Sequence, residues 1–144
     1  VRAADLPSGV ALTELTLAPK MLGAPPHIHD DEDEIFIVLS GKVHFLSGAD
    51  EIIGEAGTVA ALPRGHFHGF WNPYAEPATM LLMIAPGHFE SFFEDVEAAI
   101  RQGGPKTPPE IGEIIAQQAA KRGVTVDMSK LPESGLALLG PPPG

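Results

Sequence analysis

Two histidines separated by one residue open the polar stretch HIHDDEDE, which runs from His27 to Glu34 and precedes an apolar run. Imidazole nitrogens bind transition metals, and a carboxylate oxygen is a compatible further ligand. Because alternate residues of a strand point to the same side, His27 and His29 can face one interior. Glu34 opens the next apolar run, where its carboxylate can point back beside the two histidines.

A second pair of histidines with the same spacing, His66 and His68, follows a Pro-Arg-Gly turn in the stretch LPRGHFHGFWN. The two share one side of a strand, so this segment can supply a fourth ligand. Donors of this kind suit a divalent transition metal (Fe, Mn, Ni, Co, Cu or Zn) rather than calcium. Neutral histidines with one carboxylate would leave the ion a net charge of about +1.

Short apolar segments separated by glycine and proline must position these residues. The chain contains 16 glycines and 15 prolines, a pattern typical of short strands joined by tight turns. Strands are predicted at 10–19, 34–41, 42–48, 50–57, 58–63, 66–72 and 78–86. The segments 42–48 and 50–57 are expected to form a hairpin, and 10–19 an edge strand.

The hydrophobic period changes after Pro86. Apolar residues at helical spacing predict an amphipathic helix over 88–102. Thr107 and Glu110 predict a capping box at the start of a second helix, which ends at Gly123. The tail from Val124 to the final Gly-Pro-Pro-Pro-Gly is expected to be extended and packed on the barrel or on a partner chain.

The spacing of the glycines and candidate ligands resembles the two motifs of the cupin superfamily. The first motif is matched by His27, His29, Glu34 and Gly41, with three rather than five residues between Gly23 and the first histidine. The second motif is matched at every position by Gly57, Pro63, Gly65, His68 and Asn72. The resemblance covers the chain from about Gly23 to Asn72.

The resemblance implies an all-β fold, a cupin double-stranded β-helix (jelly-roll barrel), followed here by the two C-terminal α-helices. Residues 1–144 would form one domain, with the barrel at about 8–86 and the helices and tail at about 87–144. It also implies that one metal is held by His27, His29, Glu34 and His68.

The three-histidine, one-glutamate pattern is similar to that of quercetinase-like dioxygenases. This similarity implies a metal-dependent oxidoreductase acting on a small enolic or phenolic substrate, flavonol-like or a 1,3-diketone, with Glu34 as the catalytic base. Related cupins with the same ligands isomerise, cyclise or decarboxylate without oxygen, and others bind a small ligand without turnover. These alternatives remain open at this point.

Other side chains have two possible roles. An apolar substrate pocket could be lined by Phe36, Val38, Phe45, Phe70, Met80 and Met83, although barrel interiors are also filled by such residues as plain core. His66 could line the same pocket or face solvent in a turn. The acidic run Asp30–Asp33 is expected to form a solvated turn, because charge runs usually face water.

Composition limits the partners. A net charge of −10 argues against nucleic acid and anionic membranes, so the expected partner is a small-molecule substrate. Cysteine is absent, which excludes disulfides and thiolate ligands. No secretory signal or transmembrane run is visible, and a cytoplasmic location is the default expectation. A homodimer is expected, because the strand near Leu12 to Leu17 would otherwise leave an open sheet edge.

Overall fold

Two antiparallel sheets enclose the core of the protein. The structure, a computed structural model, describes residues 1–140. The strands are β1 (Ala11–Leu17), β2 (Met21–His29), β3 (Asp33–Ser40), β4 (Lys42–Ser47), β5 (Asp50–Glu55), β6 (Val59–Leu62), β7 (His68–Asn72), β8 (Ala78–Ala85) and β9 (Val124–Val126). One sheet has the order β1-β8-β3-β6 and the other the order β5-β4-β7-β2-β9. This arrangement confirms the predicted jelly roll.

Alternation along β3 and β8 supplies much of the core. In β8, Ala78, Met80, Leu82 and Ile84 are buried, while the residues between them are only half-buried. Phe36 and Phe45 reach the same interior from β3 and β4 and are fully buried. Truncating either ring to alanine is expected to cost about 3–5 kcal/mol, because a packed interior relaxes only partly around the resulting cavity.

The predicted hairpin and turn glycines are present. β4 pairs with β5, with Ser47 opposite Asp50. Gly41 has a positive φ of 74°, and a Cβ at this position would lie 2.5 Å from the carbonyl oxygen of Pro77. Only glycine fits this turn without displacing backbone, which accounts for its place at the end of the first motif.

The C-terminal helices follow the barrel. The first predicted helix is a 3₁₀ turn at Gly87–Glu90 continued by α1 (Ser91–Arg101), and the second is α2 (Pro108–Ala120). Glu110 accepts a 2.7 Å hydrogen bond from the Thr107 N–H, as the predicted capping box requires. A third helix, α3 (Glu133–Leu136), was not predicted, because four residues are too few to show a helical period.

The tail packs on the barrel, which was one of the two alternatives. The expected extended conformation is found only in β9, which pairs with β2 so that Val126 lies opposite His27 and Val124 opposite His29. Beyond it the expectation is wrong, because short 3₁₀ and α-helical turns follow at Met128–Lys130, Glu133–Leu136 and Ala137–Leu139. Further along, Leu131 is buried against Trp71 on the outer face of the same sheet. The final residues 141–144 lie outside the described part of the chain.

β1 lies at the edge of its sheet, as the sequence predicted. The N–H of Leu12 donates to the Val1 carbonyl at 2.8 Å, and the Val1 amino group donates to the Leu12 carbonyl at 2.9 Å, so the first residue occupies part of this edge. Pairing with a second copy there stays a prediction. Within residues 1–140, no helix combines the length and the apolar character that crossing a membrane would require.

Candidate metal site

Four polar side chains from three strands meet in the interior. β2 supplies His27 and His29, β3 supplies Glu34, and β7 supplies His68, which is paired with His27 across the sheet. Each residue offers one ligand atom, and these atoms all lie within 4.8 Å of one another. All four residues are buried, with exposures between 1% and 8%. The two sheets therefore place at one point the four residues that the cupin motifs imply.

The imidazole nitrogens and the carboxylate oxygens of this cluster lie within about hydrogen-bond distance of one another. The Nε2 atoms of His27 and His29 are 3.2 Å apart. Glu34 places Oε2 3.1 Å from Nε2 of His68 and Oε1 3.5 Å from Nε2 of His29. Nitrogen and oxygen lone pairs thus converge on one small volume.

The partners on the far side of two rings indicate which nitrogen carries the proton. Nδ1 of His27 lies 2.7 Å from the carbonyl oxygen of Pro25, and Nδ1 of His29 lies 3.0 Å from Oε2 of Glu32. Both partners are acceptors, so each Nδ1 donates and each neutral ring keeps its Nε2 lone pair. Two lone pairs then face each other, an arrangement that a shared cation stabilises.

Unpaired atoms support the same interpretation. Oε2 of Glu34 and both ring nitrogens of His68 are buried and have no hydrogen-bond partner within residues 1–140. The 3.1 Å approach between these two side chains lacks the alignment of a hydrogen bond. Each such atom costs about 1–3 kcal/mol when left unsatisfied. The residues present therefore fit a divalent transition metal.

The electrostatics of the cluster supply the protonation states that ligands need. Burial, with His68 nearby, lowers the pKa of His27 to about 4. Burial raises the pKa of Glu34, but the adjacent His68 and His29 lower it more, so the net pKa lies below its ordinary value. At neutral pH the site thus offers a neutral imidazole and an ionised carboxylate.

The expectation of a solvated turn over Asp30–Asp33 is wrong for Glu32. This side chain is only 2% exposed and bonds to His29, because the tight turn after β2 brings position i+3 back beside the histidine. Asp30 and Asp31 are exposed as predicted. Asp33 begins β3, and its carboxylate binds the Arg64 guanidinium at 2.7 Å, which lowers the pKa of Asp33 to about 2.

Five of the predicted pocket residues lie in the main core cluster: Phe36, Val38, Phe45, Phe70 and Met80. The Phe36 ring centroid lies 4.9 Å from that of Phe70 and 5.6 Å from that of Phe45. Two surface clefts, of about 610 and 470 Å³, are lined by other residues. The rings therefore pack against one another, and their role as pocket residues stays a prediction.

Two of the predicted pocket residues lie elsewhere. Met83 is three positions from Met80, an odd separation that turns it to the opposite face of β8, where it is half-buried. His66 is exposed in the turn ahead of β7, because that strand begins only at His68. The shared strand parity assumed for the two histidines therefore does not apply.

One aromatic neighbour of the site was not predicted. Phe89, in the 3₁₀ turn before α1, is buried, and its ring meets His29 edge-to-face at a centroid distance of 4.6 Å. Phe92 stacks behind it at 4.9 Å. The spacing of these residues in the sequence predicted only that they lie on the apolar face of a helix. It did not indicate contact with a ligand histidine.

A jelly-roll barrel with three histidines and one glutamate converging in its interior defines a class of metal-site β-barrel proteins. Comparison with protein families matches residues 13–84 to the cupin domain, and the chain belongs to this family. A search of the curated proteins found no match.

Solved structures share the fold. A protein with a double-stranded beta-helix domain from Klebsiella pneumoniae is 23% identical, with a TM-score of 0.51 over 56% of this chain and 70% of its own. A cupin-superfamily sugar phosphate isomerase from Silicibacter pomeroyi is 28% identical, with a TM-score of 0.50 over 54% of this chain and 50% of its own. A salicylate 1,2-dioxygenase from Pseudaminobacter salicylatoxidans is 20% identical, with a TM-score of 0.52 over 60% of this chain and 24% of its own.

Proposed function

We propose that this protein is a metal-dependent cupin oxidoreductase, a dioxygenase acting on a small enolic or phenolic substrate such as a flavonol or a 1,3-diketone. The observation that carries the proposal is the buried cluster of His27, His29, Glu34 and His68 with its unpaired donor atoms. When bound there, a divalent transition metal would supply a Lewis acid for the substrate oxygen and, if redox-active, a route for electrons to dioxygen.

The chain's own residues have separate tasks in this proposal. The three histidines would hold the metal. Glu34 is the carboxylate placed among them, and its Oε2 accepts no hydrogen bond from the described residues. A carboxylate has two oxygens, so one could hold the metal while the other takes the proton of an enolic or phenolic hydroxyl as that hydroxyl approaches. Burial keeps bulk water from competing for the same proton.

Charge and polarity around the site favour an uncharged substrate. Phe89 places an aromatic edge against His29. Arg64, in the turn before β7, is bound by Asp33, and Arg122, which lies over the Phe92 ring, is bound by Asp95. Both arginines are thus neutralised, and the net charge of −10 gives an anion no long-range attraction.

A second candidate is a metal-dependent isomerase, in which Glu34 would move a proton between neighbouring carbons without oxygen. The likeness to the sugar phosphate isomerase, at 28% identity, favours this candidate. A phosphate group would need cations to bind it. Arg64 and Arg122 are each already paired with an aspartate, which argues against a phosphorylated substrate.

The experiment measures bound metal by elemental analysis and then oxygen uptake with a panel of flavonols and 1,3-diketones. Neutral keto sugars and sugar phosphates are tested in parallel without oxygen. The matched control is His68→Ala, which removes one ligand from the same preparation. Oxygen uptake by the wild type alone supports the dioxygenase, and turnover without oxygen supports the isomerase. Binding without turnover contradicts both enzymatic functions.

A further inference from the structure

We propose that Glu32 is a positioning residue of the metal site, which holds His29 in the tautomer and orientation that present Nε2 to the metal. The inference rests on the metal-dependent function proposed above. Oε2 of Glu32 lies 3.0 Å from Nδ1 of His29, and the two side chains are 2% and 1% exposed. Glu32 belongs to neither cupin motif and is separated from Glu34 by one residue.

The burial of this carboxylate requires an explanation. Removing an ionisable group from water is unfavourable unless the group is paired, and an apolar side chain would fill the same space at a lower free-energy cost. The contacts of Glu32 are His29 on the inner side and, on the outer side, Nε2 of the exposed His88 at 3.5 Å. The inner contact is the shorter, so the buried carboxylate acts on the ligand histidine.

The three histidines are held in different ways. His27 donates from Nδ1 to the backbone carbonyl of Pro25, whereas Nδ1 of His68 has no partner within residues 1–140. Of the three Nδ1 atoms, only that of His29 contacts a carboxylate among residues 1–140. An anionic acceptor fixes the ring more firmly than a neutral carbonyl and makes the opposite nitrogen a better donor to a metal.

The test compares metal affinity among variants of the full chain. Co²⁺ is titrated into metal-free protein against a competing chelator for the wild type, Glu32→Gln and Glu32→Ala. The matched control is Glu51→Gln, because Glu51 makes the same kind of bond to Nδ1 of His44, at 2.6 Å, away from the site. Nitrogen-15 NMR of the histidines in metal-free protein reports the His29 tautomer directly, and circular dichroism confirms that each variant folds.

We expect Glu51→Gln to bind Co²⁺ like the wild type and the Glu32 variants to bind about 10- to 100-fold more weakly, the scale seen when the partner of a ligand histidine is removed. Glu32→Gln keeps the shape and a neutral acceptor, so its loss should be the smaller one. In Glu32→Ala the proton of His29 should no longer be confined to Nδ1.

Two results would overturn the inference, and they differ. If the wild type binds Co²⁺ while both Glu32 variants match it in affinity and tautomer, the positioning role fails and the metal site stands. If the Co²⁺ affinity of the wild type is no higher than that of His68→Ala, the proposed function fails and this inference fails with it. Should Glu32→Ala not fold, the isosteric Glu32→Gln still decides the question.

Discussion

Two histidine clusters lie on opposite faces of the five-stranded sheet, and they use the same residue type in different ways. On the outer face, His44 donates or accepts at both ring nitrogens, 2.6 Å from Oε1 of Glu51 and 2.9 Å from the Tyr74 hydroxyl. On the inner face, neither nitrogen of His68 has a partner within the described part of the chain. His44 and His27 are equally buried, at 8% exposure.

Burial alone therefore does not identify a functional histidine. A satisfied ring such as His44 ties elements together, here β4 to β5 and to the loop after β7. A buried ring such as His68, whose nitrogens lie beside other ligand atoms without a hydrogen bond to any described residue, is available to bind a metal. The hydrogen-bond partners, rather than the exposed fraction, distinguish the two clusters.

The largest expected effect separates the clusters by metal content. We expect about one transition metal per wild-type chain, almost none in His68→Ala, and the wild-type amount in His44→Ala. Metal should raise the melting temperature of the wild type and of His44→Ala but not of His68→Ala, since a ligand stabilises only the state that binds it. Elemental analysis and thermal unfolding measure both quantities. Equal, low metal in all three proteins would remove the distinction.

Within the inner cluster, Glu34→Gln should distinguish the role of Glu34 as a metal ligand from its role as a base. Glutamine keeps the size and one oxygen but cannot accept the proton, so turnover should fall by about 100-fold or more while much of the metal remains. His27→Ala and His29→Ala should lose metal and activity together. The measurement is rate and metal content on the substrate that the panel reveals. Wild-type turnover by Glu34→Gln would show that another group takes the proton.

On the outer face, loss of the histidine should affect stability alone. His44→Ala removes two hydrogen bonds from a buried position and is expected to lower the free energy of unfolding by about 1–3 kcal/mol. Urea denaturation measures this loss, with His66→Ala as a control because that histidine is exposed in a turn. If His44→Ala also changed metal affinity, the two faces would not be independent.

The smallest expected effect is a pH response of the outer cluster. Burial raises the pKa of Glu51, but bonds from Ser134 and His44 lower it more, so the net pKa lies below the ordinary value. The stabilisation by this carboxylate is therefore fully present above about pH 4.3 and is lost as pH falls through the lower folded pKa. Because Trp71, the single tryptophan, donates to Ser134 at 3.1 Å, its fluorescence should report the loss.

Glu51→Gln is the matched control for the fluorescence measurement, since it keeps the shape but removes the titrating group. It should show no change in Trp71 emission over the same acidic range. An identical change in this variant would assign the signal to general acid unfolding rather than to Glu51.

The sequence was most informative where the alternation of a strand coincided with residue types that bind metals. His27 and His29 share a side because they are alternate residues of a strand, and Glu34 and His68 stand at family spacing, so all four could be predicted. Glu32 was missed because an acidic run resembles a solvated turn, and only the return of the chain beside His29 reveals its burial.

Features that depend on distant contacts could not be read from local patterns. His44 gave no signal of its partners, because Tyr74 is 30 residues away along the chain. β9 consists of three residues, too few for a periodic signal, and its place is set by pairing with β2. For His66 the solvent-facing alternative holds, because β7 begins only at His68, a boundary set by the packed sheets. Met83 is a different case, since its odd separation from Met80 in β8 already placed the two on opposite faces.

The pairing of β9 with β2 has a consequence for how this protein is made. His29 lies opposite Val124, so the outer edge of the strand that carries two ligands is completed by a segment far beyond the family match at residues 13–84. During synthesis, the ligands emerge from the ribosome well before this edge can close. Contacts of such long sequence separation also slow folding, because the entropy of loop closure opposes them. Metal capture in the native geometry therefore has to wait until residues 124–126 have been made, and an excised stretch of residues 13–84 would carry all four ligands without the strand that borders them.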